Sequence, residues 1–137
     1  MIRLIIAGPR SCTKNTSVSQ EIAKYIAEID GVDEIVTGGS TGVDLMAKQY
    51  ALLHQITYKE FIPNWQNDLN AAGILRDARM AEYASHLLVF FNSDSRESMH
   101  LLMQAEKNHL IIKKINAPDG RISHGEQIRG NSISLIF

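Results

Sequence analysis

The sequence predicts an α/β protein with an open, mostly parallel sheet of about five strands and helices on both faces. Three observations carry that expectation. Short dense apolar runs alternate with longer segments of helical spacing, turn residues separate the two kinds, and the alternation persists over residues 2–115 of a 137-residue chain. The strand-like runs are 2–7, 34–37, 56–62, 87–91 and 110–115, rich in β-branched and aromatic residues and read as largely buried. The helical segments each carry an apolar stripe. Val18, Ile22, Tyr25, Ile26 and Ile29 supply it for 16–30, and Val43, Met46, Ala47, Tyr50 and Ala51 for 41–54. Ile74, Ala78 and Ala81 supply it for 71–84, and Ser98, Leu101, Leu102 and Ala105 for 96–108. Parallel strands need right-handed crossovers, so β-α-β alternation implies three layers. Residues 116–130 are polar, with Pro118, Gly120, Gly125 and Gly130, and precede a last apolar run at 132–137. That stretch is expected to be a loop and edge strand of the same domain, or an arm packed on a neighbouring subunit.

Composition narrows the function. Hydrophobic residues make up 45% and charged residues 21%, and a formal charge of -1 argues against coating nucleic acid or an anionic membrane. The longest apolar run, Leu87 to Phe91, is too short to span a bilayer. Met1 to Gly8 passes straight into turn residues with no cleavage site, so no signal peptide is expected. A single Cys12 excludes an internal disulfide and fits a reducing, cytoplasmic setting. The five histidines, 54, 86, 100, 109 and 124, have no metal-ligand spacing, and no metal or cofactor is expected.

In an open parallel sheet the ligand site lies at the carboxyl ends of the strands, where strand order reverses. The loops there are Gly8-Pro9-Arg10-Ser11, Gly38-Gly39-Ser40-Thr41-Gly42 with Asp44, Pro63-Asn64-Trp65, and Asn92-Ser93-Asp94-Ser95-Arg96-Glu97-Ser98. The second carries the clearest physics. Its glycines admit close approach, Ser40 and Thr41 offer hydroxyls, and free N–H groups opening the next helix favour an anion. It is neither a Walker A loop nor a dinucleotide fingerprint. A turn that binds nothing, with Asp44 complementing the helix dipole, is equally open at this point. Arg10 and Arg76 are the candidate cations, since a guanidinium fork matches phosphate. Arg76, near a helix start, is expected to face the solvent of the cleft or to be a plain surface charge. Trp65, the only tryptophan, either plugs the third connection or stacks on a ligand ring.

Taken together, four blocks resemble the SLOG superfamily, the group that includes the DprA, LOG and YpsA proteins, and most closely its short stand-alone YspA-like members. The blocks are Ile5-Ile6-Ala7-Gly8-Pro9-Arg10, Gly38-Gly39-Ser40-Thr41-Gly42-Val43-Asp44, the run from Trp65 through Gly73, Arg76 and Met80 to Ala81, and Phe90-Phe91-Asn92-Ser93-Asp94-Ser95-Arg96. The resemblance spans residues 2–115 and departs in two places. Glu97-Ser98 stands where relatives usually have Gly-Thr, and Ile74 where a proline is common.

The resemblance implies a Rossmann-like domain over 1–115, extended by 116–137. It also implies a pocket for a nucleotide or nucleotide-derived ligand such as an ADP-ribose or cyclic nucleotide species. LOG enzymes cleave the N-glycosidic bond of nucleoside monophosphates and carry a glutamate in the last loop, and by the count from Glu97-Ser98 that position is Leu101 here. The first expectation is therefore a non-catalytic binder, a sensor or a sequestering protein. Its ligand contacts would be Gly8, Pro9, Arg10, Ser11, Gly38, Gly39, Ser40, Thr41, Gly42, Asp44, Trp65, Arg76, Met80, Asn92, Ser95, Arg96, Glu97 and Ser98. The alternative is an N-glycosidase or base-exchange enzyme using Asp44, Asp77, Asp94 or Glu97. DNA binding in the manner of DprA is disfavoured by the charge. A homo-oligomer, a dimer or a multiple of one, is expected because the 132–137 run would otherwise be an open edge.

Overall fold

The computed structural model describes residues 1–12, 15–91, 96–116 and 126–129. Strands β1 (Arg3–Ala7), β2 (Glu34–Thr37), β3 (Thr57–Glu60), β4 (His86–Phe91) and β5 (Ile111–Asn116) pair in parallel in the order β3-β2-β1-β4-β5. The intervening helices are α1 (Asn15–Glu28), α2 (Val43–Leu53), α3 (Trp65–Asp68), α4 (Ala72–Tyr83) and α5 (Arg96–Lys107), with a 3-10 turn at Leu69–Ala71. This is the Rossmann-like α/β arrangement. Chain order reverses at β1, between β2 on one side and β4 on the other, which opens a crevice above their carboxyl ends.

Alternation along the central strands feeds two apolar layers. Leu4, Ile6, Ile35, Leu88 and Phe90 pack with Val18, Ile22 and Tyr25 of α1 and with Val43, Met46 and Ala47 of α2. Ile5, Val36, Leu87, Val89, Phe91 and Ile112 pack with Met80 of α4 and with Leu101, Leu102 and Ala105 of α5. β4 is buried along its whole length, as a central parallel strand must be. No helix of the described residues is long and apolar enough to cross a membrane.

Three local expectations need correction. The 56–62 run is not largely buried: β3 alternates exposed and half-buried residues because it forms the sheet edge, where only one side pairs. The buried face of α4 is Ala72, Arg76, Asp77, Met80 and Ala81, whereas Ile74 lies 52% exposed. The helix is rotated so that an Arg-Asp pair, which apolar periodicity cannot register, turns inward. The far edge is formed by β6 (Glu126–Arg129), antiparallel to β5, inside the stretch read as a polar loop. The apolar run at 132–137 lies outside the described residues.

Candidate functional site

The β1–α1 and β2–α2 loops are built against each other. At Gly42 φ is +68°, and an added Cβ would collide with the Pro9 carbonyl oxygen and lie 2.6 Å from the Arg10 carbonyl. Only glycine meets both demands. The Val43 N–H donates to the Pro9 carbonyl (3.3 Å), and the Thr41 hydroxyl donates to the Arg10 carbonyl (3.3 Å). Gly8 leaves room for Val43 and Phe90, since its added Cβ would sit 2.7 Å and 2.8 Å from their side chains. Pro9, Thr41 and Gly42 therefore join the two loops.

Several N–H groups expected to await an anion already have partners. Ser40 donates to the Asp44 carboxylate (3.2 Å), and Gly39 donates to the Thr37 hydroxyl (3.2 Å). The Thr37 hydroxyl lies 2.6 Å from that of Tyr58, which donates to Glu60 (2.7 Å). A directed chain thus runs from the loop to the sheet edge. Asp44, in the first turn of α2, sits where an external anion was expected. Burial is the main influence on its carboxyl and pushes the pKa up to about 6, while hydrogen bonding from Ser40 and the Arg76 charge oppose the rise. Below that pH it is a neutral acid.

Arg76 is buried rather than solvent-facing. Its Nη1 donates to the Gly38 carbonyl (2.9 Å) and its Nε to Asp77 Oδ1 (2.8 Å), with both side chains about a tenth exposed. Gly38 makes room for it: an added Cβ would stand 2.7 Å from Nη1. The other Asp77 oxygen lies 3.2 Å from His100 Nδ1 on α5. One carboxylate thus fixes a guanidinium and an imidazole on opposite sides.

Around this unit lie two adjoining pockets. The inner one is about 40 Å³, lined by Ala7, Gly8, Arg10, Gly38, Ser40, Asp44, Arg76, Asp77, Met80, Ser98 and Leu101. The outer one is about 320 Å³, lined by Arg10, Trp65, Asn70, Gly73, Ile74, Arg76, Asp77 and His100. Arg10, Arg76 and Asp77 belong to both. Trp65 is 57% exposed, so it does not plug the connection. It opens α3, whose cap is the Asn64 side chain accepting from the Asn67 N–H (3.2 Å).

The expected residues thus divide. Gly8, Arg10, Gly38, Ser40, Asp44, Arg76, Met80 and Ser98 line the inner pocket, and Trp65 the outer one. Ser11 and Gly39 are exposed at the rim. Asn92 and Ser95 lie outside the described residues, as do the side chains of Arg96 and Glu97. Leu101 is 3% exposed and floors the inner pocket from the core side, together with Ser98. Asn70 and His100 were not expected as contacts: Asn70 precedes a helix without any pattern, and His100 is an isolated polar residue of an amphipathic one. Among the described residues, no cluster of histidine, cysteine, aspartate or glutamate could hold a metal.

Residues 2–67 match the family described as the YspA, cpYpsA-related SLOG family. The match supports membership of the SLOG superfamily. The matched span covers β1 through the start of α3, and so includes both loops that Gly42 joins as well as Asp44 and Trp65. Arg76, Asp77 and His100 fall beyond it. No curated protein and no solved structure matches the chain significantly.

Proposed function

We propose that this protein binds a phosphate-bearing nucleotide or nucleotide-derived ligand without transforming it, as a sensor or a sequestering protein of the cytoplasm. The observation that carries the reading is the meeting of Arg10, Arg76 and Trp65 around one cleft at the carboxyl ends of the central strands. Guanidinium forks suit phosphate, and an exposed indole suits a planar base. The 320 Å³ outer pocket has the size of a small-ligand site. Leu101, which by count holds the place of the glutamate in LOG enzymes, supplies no carboxylate from α5 to support a positively charged ribose.

Trp65, as the single tryptophan, is a built-in reporter. Titration with a panel of mononucleotides and ADP-ribose should change its fluorescence. Saturation at about 100 times Kd should stabilise the fold by ~2.7 kcal/mol, raising Tm by roughly 5–15 °C. A panel with neither response counts against the reading. The exposed Ile74, Leu75, Met99 and Met103 on α4 and α5 support association into a homo-oligomer, which a monomeric mass in light scattering at high micromolar concentration would contradict.

One observation favours a second reading, an N-glycosidase: the Asp44 carboxyl holds its proton up to about pH 6 beside the cleft, as a general acid needs. Steady release of free base from AMP, abolished by Asp44→Asn, would establish it over the binder.

A further inference from the structure

The outer pocket has two unlike sides. One stretch of chain, from the start of α3 through the 3-10 turn to the first turn of α4, supplies Trp65, Asn70, Gly73 and Ile74. It brings an indole, a carboxamide, open backbone and an aliphatic side chain, none of which ionises. The ionisable lining comes from elsewhere: Arg76 and Asp77 in the next turn of α4, Arg10 in the β1–α1 loop and His100 on α5. Trp65 and Ile74 are both more than half exposed, large apolar groups that the fold leaves uncovered beside a cavity. A flat ring lying against them would bury that surface. The inner pocket, at about 40 Å³, takes a water and not a ring.

The polar groups divide in the same way. Asp77 joins Arg76 to His100, and Arg10 is engaged as well. The Asn70 carboxamide makes no hydrogen bond among the described residues. Its place follows from Leu69, whose backbone lies at φ +51° and ψ −128°, a region that glycine holds freely and other residues avoid. The Leu69 side chain is exposed, so core packing does not hold that bend. The bend turns the chain out of α3 and sets Asn70 on the pocket wall.

We propose that the 65–74 side is the subsite for the ligand's base, and that Asn70 reads the base edge and selects adenine. The proposal rests on the nucleotide-binding reading and deepens it. A carboxamide offers an acceptor and a donor group side by side. Adenine matches both on one edge, its 6-amino group donating and N7 accepting, whereas guanine presents two acceptors there, O6 and N7. Against guanine the Asn70 oxygen would face an acceptor and lose its bond. Trp65 acts on the ring face, which every base has, and so adds affinity without selection. The charged side is left for the phosphate.

The test is calorimetry on the full chain with AMP and ADP-ribose, each against its guanine counterpart, GMP and GDP-ribose. An adenine ligand should bind about tenfold tighter than its counterpart, the scale of one bidentate base contact. Asn70→Ala should weaken that adenine ligand about tenfold and leave the guanine one unchanged, whereas Trp65→Ala should weaken both alike. Equal or reversed wild-type affinities for the two bases overturn the proposal, as does an Asn70→Ala variant that keeps the preference. In case Asn70→Ala does not fold, the 7-deaza analogue of the bound adenine ligand supplies the second measurement on wild type. With carbon in place of N7 it should bind about tenfold more weakly than its parent, and equal binding overturns the proposal. Each of these failures leaves the nucleotide reading standing. No binding of any of the four ligands removes both.

Discussion

The two ends of the sheet use the same residue types to opposite effect. At the amino end, Arg3 lies 4.2 Å over the Tyr83 ring and donates to the Tyr83 carbonyl (3.3 Å), and the Tyr83 hydroxyl donates to Glu34. Ser85 accepts from the Arg3 N–H (3.0 Å), and Asp33 accepts from Ile2 (2.6 Å). Arginine, aromatic ring and carboxylate close on one another there. At the carboxyl end, Arg76 and Asp77 also pair, but Trp65 stands off and Arg10 is exposed at the rim. The aromatic ring is what separates them. Where it covers the guanidinium the cluster staples the chain; where it is held away, a pocket remains between them.

The largest expected effect comes from breaking the carboxyl-end cluster at its centre. Arg76→Ala strands the Gly38 carbonyl and leaves Asp44 and Asp77 buried without their nearest cation. At pH 7.5 it should cost ~3–5 kcal/mol, the scale for removing one member of a buried pair. Arg3→Ala should cost only ~1 kcal/mol, since its ring contact and single carbonyl bond are half exposed. Urea unfolding of both variants checks the ratio. Equal losses would mean that the two clusters are energetically alike and the contrast is one of shape alone.

Much of this architecture was legible in the sequence. The 34–37 run is β2 at its observed bounds, and the helical stripes of α1, α2 and α5 face the core, because burial in those elements is apolar and periodic. α4 departs from its apolar pattern for a physical reason: its buried positions include Arg76 and Asp77, whose stabilisation comes from partners 38 and 23 residues away. Hydrophobic pattern contains no trace of such partners. The same limit explains Asp44. Its place in the first turn of α2 was visible, but that its carboxylate takes the Ser40 N–H, closing part of the expected anion site, depends on the loop geometry that Gly42 sets. His100 was invisible as a site residue because only the packing of α4 on α5 brings it to Asp77.

The second expected effect sharpens the contrast through pH. Burial raises the Asp44 pKa from 3.8 to about 6, so between those values the folded state holds a proton that the unfolded chain has lost. This contribution is fully present below pH 3.8 and is lost as pH rises through 6. Its full size is ~3 kcal/mol, from roughly two pKa units. Asp44→Asn keeps an oxygen for the Ser40 N–H and removes the titration. Subtracting the two stability profiles should therefore show wild type losing ground to the variant between about pH 4 and pH 6, with a plateau above. A level difference across that window would mean that the Asp44 carboxyl is in contact with water rather than buried.

The smallest expected effect on stability belongs to Trp65, and its value lies in being small. At 57% exposure on a four-residue helix, the indole contributes little packing, so Trp65→Ala should leave ΔG of unfolding within ~0.5 kcal/mol of wild type. Affinity for a mononucleotide should nonetheless fall by roughly tenfold, the order of one lost stacking contact. Tyr83→Phe should do the reverse. It removes the hydroxyl bonded to Glu34, and hence some stability, while leaving mononucleotide affinity unchanged, because Tyr83 lies at the far end of the sheet. Thermal melts and calorimetric titrations on the two variants form a crossed pair. If Trp65→Ala melts early and binds normally, the indole is a structural cover like Tyr83, and the separation of ring from guanidinium at the carboxyl end is not what makes the site.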